Sequence, residues 1–213
     1  MPKRPSKSPP KSKSKPAMPR DRILDAALAL SERSGWRAAS LGAIAGEAGL
    51  PLYEVYGEFR SRSEILGGLM ARADEQVLAA SGTPDMEESP RDRLFEVLMR
   101  RFDALKPHRP AIKAIVRDLV ADPPLALCSA PALMRSMAWM LEAAGLSSAG
   151  PRGRFHARAL AALYLCVGRV FLEDETADLA KTMAALDRRL SQAQPWLGLA
   201  GFRWGAGRAK EPA

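Results

Sequence analysis

The chain is poor in the residues that build sheets and stapled folds. Aromatic residues make up 6% of it and there are two cysteines, Cys128 and Cys166. Two thiols far apart, in no Cys-x-x-Cys pair, exclude a disulfide scaffold and a zinc ribbon. Both lie in apolar helical contexts, so the expectation is buried thiols in a reducing cytoplasm. No run alternates apolar and polar residues as a half-buried strand does, and no segment repeats. No stretch reads as apolar enough to span a bilayer, and the basic N-terminus lacks the apolar run of a secretory signal.

Catalytic constellations are missing as well. His108 and His156 stand alone, without a ligand partner at helical spacing. There is no glycine-rich phosphate loop and no nucleophile elbow. The acid cluster Glu173, Asp174, Glu175 and Asp178 is explained without a metal if Thr176 caps a helix with Asp178 in its first turn. The expectation is a protein that is not an enzyme, with no cofactor and no metal.

Charge is unevenly placed. Residues 1–20 hold Lys3, Arg4, Lys7, Lys11, Lys13, Lys15 and Arg20 and no acid, which accounts for +7 of a net +8. This Pro/Lys/Ser-rich tail, residues 1–19, is expected to stay disordered. Such a tail either contacts phosphates through counterion release or is simply solvated.

What remains is 47% apolar and rich in Ala, Leu, Met and Arg, which favours helices. The first helix starts near Pro19–Arg20 and stops at Gly35, with Ile23, Ala27 and Leu30 on one face. Ser40 reads as an N-cap for Leu41, Ile44, Ala45 and Ala48, and Gly49 as a tight turn. Leu52, Val55, Tyr56 and Phe59 follow at helical spacing. Ser61 with Glu64 forms a capping box for a helix running through Leu66 towards Ala80. Residues 81–90 read as a hinge. Further helices are expected at about 91–106, 109–121, 131–144, 152–173 and 176–194, punctuated by Pro107, Pro110, Pro123–Pro124, Pro131 and Pro151. Residues 155–172 are apolar nearly all round, and Leu179, Met183, Leu186 and Leu190 form a stripe. Together these two helices suggest half of a four-helix homodimer seam, with a purely internal core as the alternative.

The segment Ser40 to Leu66, SLGAIAGEAGLPLYEVYGEFRSRSEIL, resembles the helix-turn-helix of TetR-family transcriptional regulators, with landmarks at Ala45, Gly49, Val55, Tyr56, Phe59, Arg62 and Leu66. The resemblance implies an all-α fold, a three-helix DNA-binding head (residues 20–66) on a helical ligand-binding and dimerisation domain (67–195), followed by a tail (196–213). It implies contacts to double-stranded operator DNA from Arg20, Ser40, Leu52, Tyr53, Glu54, Tyr56, Gly57, Arg60 and Arg62, and a cytoplasmic repressor. A small apolar or lipid-like ligand is expected among Phe95, Leu98, Phe102, Ile115, Leu119, Met137, Trp139 and Leu141, with Met134 and Met140 nearby. The head departs from the family pattern in charge. Residues 21–66 carry five bases and seven acids, and Glu54 and Glu58 face outward where hydroxyl or aromatic residues are common. A glutamate there either reads a cytosine N4 or repels phosphate.

Residues 164–190, YLCVGRVFLEDETADLAKTMAALDRRL, are similar to the C-terminal region of ubiquinone-biosynthesis accessory proteins. That similarity implies a lipid-binding protein of TetR-like fold without DNA recognition, touching a membrane surface. Trp196, Leu197, Phe202 and Trp204 would then serve as its membrane-associated tail, or else cap the core.

Overall fold

A computed structural model describes residues 18–194. The expected basic tail up to Lys15 and the C-terminal Trp196, Leu197, Phe202 and Trp204 lie outside the described residues. Within them the fold is all-α, with nine helices: α1 (Pro19–Ser34), α2 (Leu41–Ala48), α3 (Leu52–Glu58), α4 (Arg62–Ala80), α5 (Pro90–Leu105), α6 (Arg109–Val120), α7 (Pro123–Ala143), α8 (Gly150–Leu172) and α9 (Ala180–Ala193). Short 3-10 turns at Trp36–Ala38 and Lys106–His108 join α1 to α2 and α5 to α6.

Local chemistry sets the starts. The Ser40 hydroxyl accepts from Ala43 N at 3.1 Å, and that of Ser61 from Glu64 N at 3.2 Å. The Glu64 carboxylate reaches back to Arg60 N at 2.8 Å, one residue before the cap itself. Ser89 and Asp122 cap α5 and α7 in the same way. Prolines open α1, α5, α6, α7 and α8 within the first two positions, where the missing N–H has no intrahelical acceptor.

Two apolar cores result. The head core gathers Ile23, Leu24 and Ala27 of α1 with Trp36, Ile44, Val55, Phe59, Ile65 and Leu66, and α6 adds Ala111 and Ile115. The body core packs Leu94, Leu98 and Phe102 against Met137, Met140, Leu160, Val167, Phe171, Leu186 and Leu190. α4 runs unbroken through residue 66, and α6 contributes to the head, so the expected boundary between residues 66 and 67 separates neither the helices nor the cores.

Several expectations are corrected. α7 begins at Pro123, not near 131, because the Pro123–Pro124 pair sits in its first turn; Pro131 is inside the helix with an exposed ring. α9 begins at Ala180, preceded by Leu179 in the left-handed region (φ 56), so Asp178 lies outside its first turn. Leu179, Leu186 and Leu190 are fully buried in the chain's own core, and of that stripe only Met183 is exposed, so three of its four side chains serve the internal core. Both thiols are exposed on helix surfaces rather than buried. By length and composition α8 could cross a membrane, contrary to the sequence reading. Its buried positions, from Gly153 to Phe171, instead form one face against α7 and α9.

Candidate nucleic-acid interface and internal cavity

α2, a tight turn and α3 form the candidate interface. The chain reverses at Gly49, whose φ of 61 is left-handed and suits glycine, and the Leu50 N–H returns to Ala45 O at 3.0 Å. α1 pins the turn from below: Arg22 Nη2 donates to Ala48 O at 2.6 Å and Gly49 O at 3.2 Å.

α3 is sharply two-faced. Val55, and Phe59 just past its end, are buried in the head core. Leu52 (55% exposed), Tyr53 (73%) and Tyr56 (61%) point outward, with Gly57 and Glu58 exposed beside them. Glu54 is half-buried and accepts from the Tyr53 hydroxyl at 3.3 Å. Ser40 is exposed at the start of α2, its hydroxyl already engaged as the cap.

The arginines expected at phosphates divide into two kinds. Arg60 is exposed and lies over the Tyr56 ring at 5.7 Å, a cation-π arrangement that leaves its guanidinium at the surface. Arg20 and Arg62 are built into the head. Arg20 sits over the Phe59 ring at 4.7 Å, with Glu58 at 4.0 Å. Arg62 lies over the Trp36 ring at 4.9 Å, donates to Trp36 O, and keeps a buried Nε without a partner. No local pattern signals this: Arg62 follows the cap residue as a phosphate contact would, and only the fold brings Trp36 beneath it.

Behind the head, a cavity of about 490 Å³ lies between α4, α5, α6, α7 and α8. Of the residues expected to line it, Phe102, Ile115 and Leu119 do so. Leu98, Met137 and Leu141 are buried in the body core instead, Phe95 is packed against that core, and Trp139 is half exposed on the outer face of α7. The cavity draws on faces the sequence reading passed over: Leu69 and Ala73 of α4, Ile112 of α6, Leu133 of α7, and Tyr164, Gly168 and Leu172 of α8. Phe102 stacks on Tyr164 at 5.2 Å and leans on Phe171 at 5.1 Å, which stiffens one wall.

Its polar lining is one-sided. Arg72, Gln76, Arg101, His108, Ser129, Tyr164 and Arg169 face it, and no aspartate or glutamate does. The carboxylates that balance these cations stand behind them. Asp74 takes a hydrogen bond from Arg101 Nη1 and another from the Ser136 hydroxyl at 2.7 Å. Asp25, on α1, accepts from Arg72 Nη1 at 2.6 Å. Burial, and then the nearby Arg72 charge, hold His108 below its ordinary pKa, so it is a half-buried, neutral imidazole. Arg101 was legible as an anomaly: it falls between Leu98 and Leu105 on the apolar face of α5, where a cation needs a buried partner. Among the described residues, no three of His, Cys, Asp and Glu come together as a metal site.

α6 touches both regions. Its Ile112, Ile115, Val116 and Leu119 line the cavity. Its buried Asp118 accepts the Arg37 N–H at 3.0 Å in the 3-10 turn after α1, while the Arg37 guanidinium donates to Ala121 O at 3.2 Å. Burial would raise the Asp118 pKa, but the Arg37 N–H and the Arg117 side chain hold it below the usual carboxylate value.

Comparison with solved structures identifies this architecture as the TetR-regulator fold. A TetR transcriptional regulator from Nitrosomonas europaea ATCC 19718 matches at TM-score 0.64 and 24% identity, over 84% of this chain and 98% of the other. One from Rhodococcus sp. RHA1 matches at 0.59 and 20%, over 82% and 94%. A regulator of the same family from Streptomyces coelicolor matches at 0.52 and 18%, over 85% of each chain. No family model and no curated protein matches the chain, and the similarity of residues 164–190 to ubiquinone-biosynthesis accessory proteins gains no support from these comparisons.

Proposed function

We propose that the chain is a DNA-binding transcriptional regulator, a repressor whose affinity for its operator is set by a small apolar ligand in the cavity behind the head. The observation that carries this reading is the outer face of α3. A seven-residue helix exposes Leu52, Tyr53 and Tyr56 together while Val55, with Phe59 just past its end, anchors it in the head core. Large side chains held out on a rigid, turn-anchored helix suit a groove, and nothing in the head's own packing uses them. α6 supplies the route from ligand to head, since it forms both a cavity wall and part of the head core.

The head itself is net acidic, so the phosphate attraction must come from Arg60 and from the lysines of residues 1–16. Genomic DNA pull-down with the full-length chain at physiological salt tests the reading. Enriched sites are expected, with a salt dependence that falls by about 0.9 per lost phosphate contact when residues 2–16 are removed. Recovery of no enriched site by either form would refute DNA regulation and favour the second reading, a lipid-binding protein without DNA activity, for which the acidity of the head speaks.

A pair of heads on a two-fold operator requires a homodimer. With three of the four α9 stripe residues buried internally, the surface offered is the outer face of α8, where Phe155 (51% exposed), Ala162 and Cys166 lie at helical spacing. Light scattering at micromolar concentration should give two subunits, and one for Phe155→Glu.

A further inference from the structure

We propose that the cavity takes an amphiphile with an acidic head group, a medium-chain aliphatic carboxylate, and that this head group competes with Asp25 for Arg72. The proposal rests on the ligand-responsive reading of the same cavity and names the ligand's chemistry.

Three observations carry it. First, the cavity has the size of a small-molecule site, about 490 Å³, and most of its wall is aliphatic or aromatic. An alkyl or aryl-alkyl tail is stabilised there by burial, at roughly 25 cal/mol per Å² of apolar surface removed from water. Second, every charged side chain on the wall is basic, and the remaining polar groups can donate hydrogen bonds. A cationic ligand would find no counter-charge and would lose its hydration without replacement. A carboxylate would find donors on several sides. Arg101 is 2% exposed, with Nε spent on Tyr164 and Nη1 on Asp74, and its Nη2 has no hydrogen-bond partner among the described residues.

Third, the two arginines differ in how firmly they are held. Arg101 and Asp74 form a buried pair, reinforced by Ser136 and Tyr164, and breaking it would strand a charge in the core. Arg72 is paired with Asp25, whose side chain is 63% exposed. The Arg72 side chain is itself 19% exposed, but the exposed Asp25 leaves the pair open to solvent and worth about 1 kcal/mol, so a carboxylate delivered from the cavity can displace it. The neutral His108 imidazole, close enough to Arg72 for that charge to lower its pKa, supplies a second donor. Asp25 and Glu32 of α1 are the acids facing this corner, and the Arg72–Asp25 pair ties α4 to α1. Seating an anion on Arg72 therefore unties one of the contacts between the cavity and the head.

Isothermal titration of the full-length protein with decanoate, 1-decanol and decyltrimethylammonium, below their aggregation limits, tests this. Decanoate should bind about tenfold more tightly than decanol, the worth of one charge-assisted hydrogen bond, and the ammonium least. Arg72→Gln should bring decanoate down to decanol, Arg72→Lys should restore part of the difference, and Asp25→Asn should tighten decanoate by a few-fold by removing its competitor. Circular dichroism checks that each variant is folded. Decanol or the ammonium binding as well as decanoate, or an Arg72→Gln variant that keeps the preference, would overturn the anionic head group while leaving the cavity a ligand site. Failure of all three compounds to bind would overturn the ligand site and this proposal with it.

Discussion

Asp174, between α8 and α9, is fully buried, yet nothing cationic pairs with it among the described residues. It is satisfied entirely by hydroxyls and amides. The Thr176 N–H and hydroxyl donate to Oδ1 at 3.1 and 2.5 Å, and the Thr182 N–H and hydroxyl to Oδ2 at 2.8 and 2.7 Å. Replacing Asp174 with Asn keeps the shape but turns one oxygen into a donor, set against donors. Two charge-assisted bonds are then lost, at about 1.5–3 kcal/mol each, less whatever local rotation recovers, for a net cost of about 2–4 kcal/mol. Asp174→Ala leaves the buried Thr182 N–H unmatched and should cost about 3–5 kcal/mol. At roughly 2–4 °C per kcal/mol for a chain of this size, Asp174→Asn should lower Tm by about 5–15 °C.

The pH dependence has a definite sign. Burial alone would raise the Asp174 pKa, but the Thr176 and Thr182 donors more than offset it and hold it far below its ordinary 3.8. A depressed folded-state pKa means that the stabilisation is complete above the unfolded value and is lost as pH falls from there through the folded one. The gap in urea-unfolding free energy between wild type and Asp174→Asn should thus be flat above about pH 5 and narrow below about pH 4. A Tm change under 2 °C, or a gap that widens on acidification, would refute the reasoning.

Three further outcomes follow from the same geometry. A Cβ at Gly68 would stand 2.7 and 2.9 Å from the buried Phe59 ring, so Gly68→Ala should destabilise: overpacking costs about 1–3 kcal/mol against a helix-propensity gain of about 1, and a raised Tm would count against the close approach. Asp118→Ala should strip the Arg37 amide of its acceptor, seen as faster hydrogen exchange at Arg37 with α5 unaffected; unchanged protection would dismiss the clamp between α6 and the head. His108 should titrate below 6.5 by NMR and move up, incompletely, in Arg72→Gln, because burial is the larger cause; its contribution to stability should weaken as pH falls through 6.5, where the unfolded chain takes up the proton first, and a titration at or above 6.5 in the wild type would refute the assignment.

Where the chain wrote its instructions in adjacent residues, they could be read. Ser40 before Leu41, Gly49 after Ala48 and Ser61 before Glu64 act through backbone groups four residues away or fewer, so the head's helices were legible almost to their ends. Proline was ambiguous, since the same residue starts a helix at Pro123 and rides inside one at Pro131. Apolar spacing located the faces but not their partners. Leu186 and Leu190 make the same stripe whether they meet α8 of their own chain or a second copy, and only packing decides. The cavity was the least legible feature, because it lies where apolar faces fail to meet. Phe102 borders it and Leu98, one turn earlier on α5, does not. The paired Arg72–Asp25 and Arg101–Asp74 join residues 47 and 27 positions apart, beyond any local pattern.

The head is not a cassette. Because α6 lends Ala111 and Ile115 to the head core, a segment cut after α4 would carry away the exposed face of α3 and leave part of its own foundation behind. Chimaeras that exchange heads between proteins of this fold should succeed only when α6 travels with the head or matches it at those two positions. The same sharing constrains natural variation: a change of size at Trp36 has to be answered in α6, the helix that also walls the cavity, so the head core and the cavity are not free to drift apart.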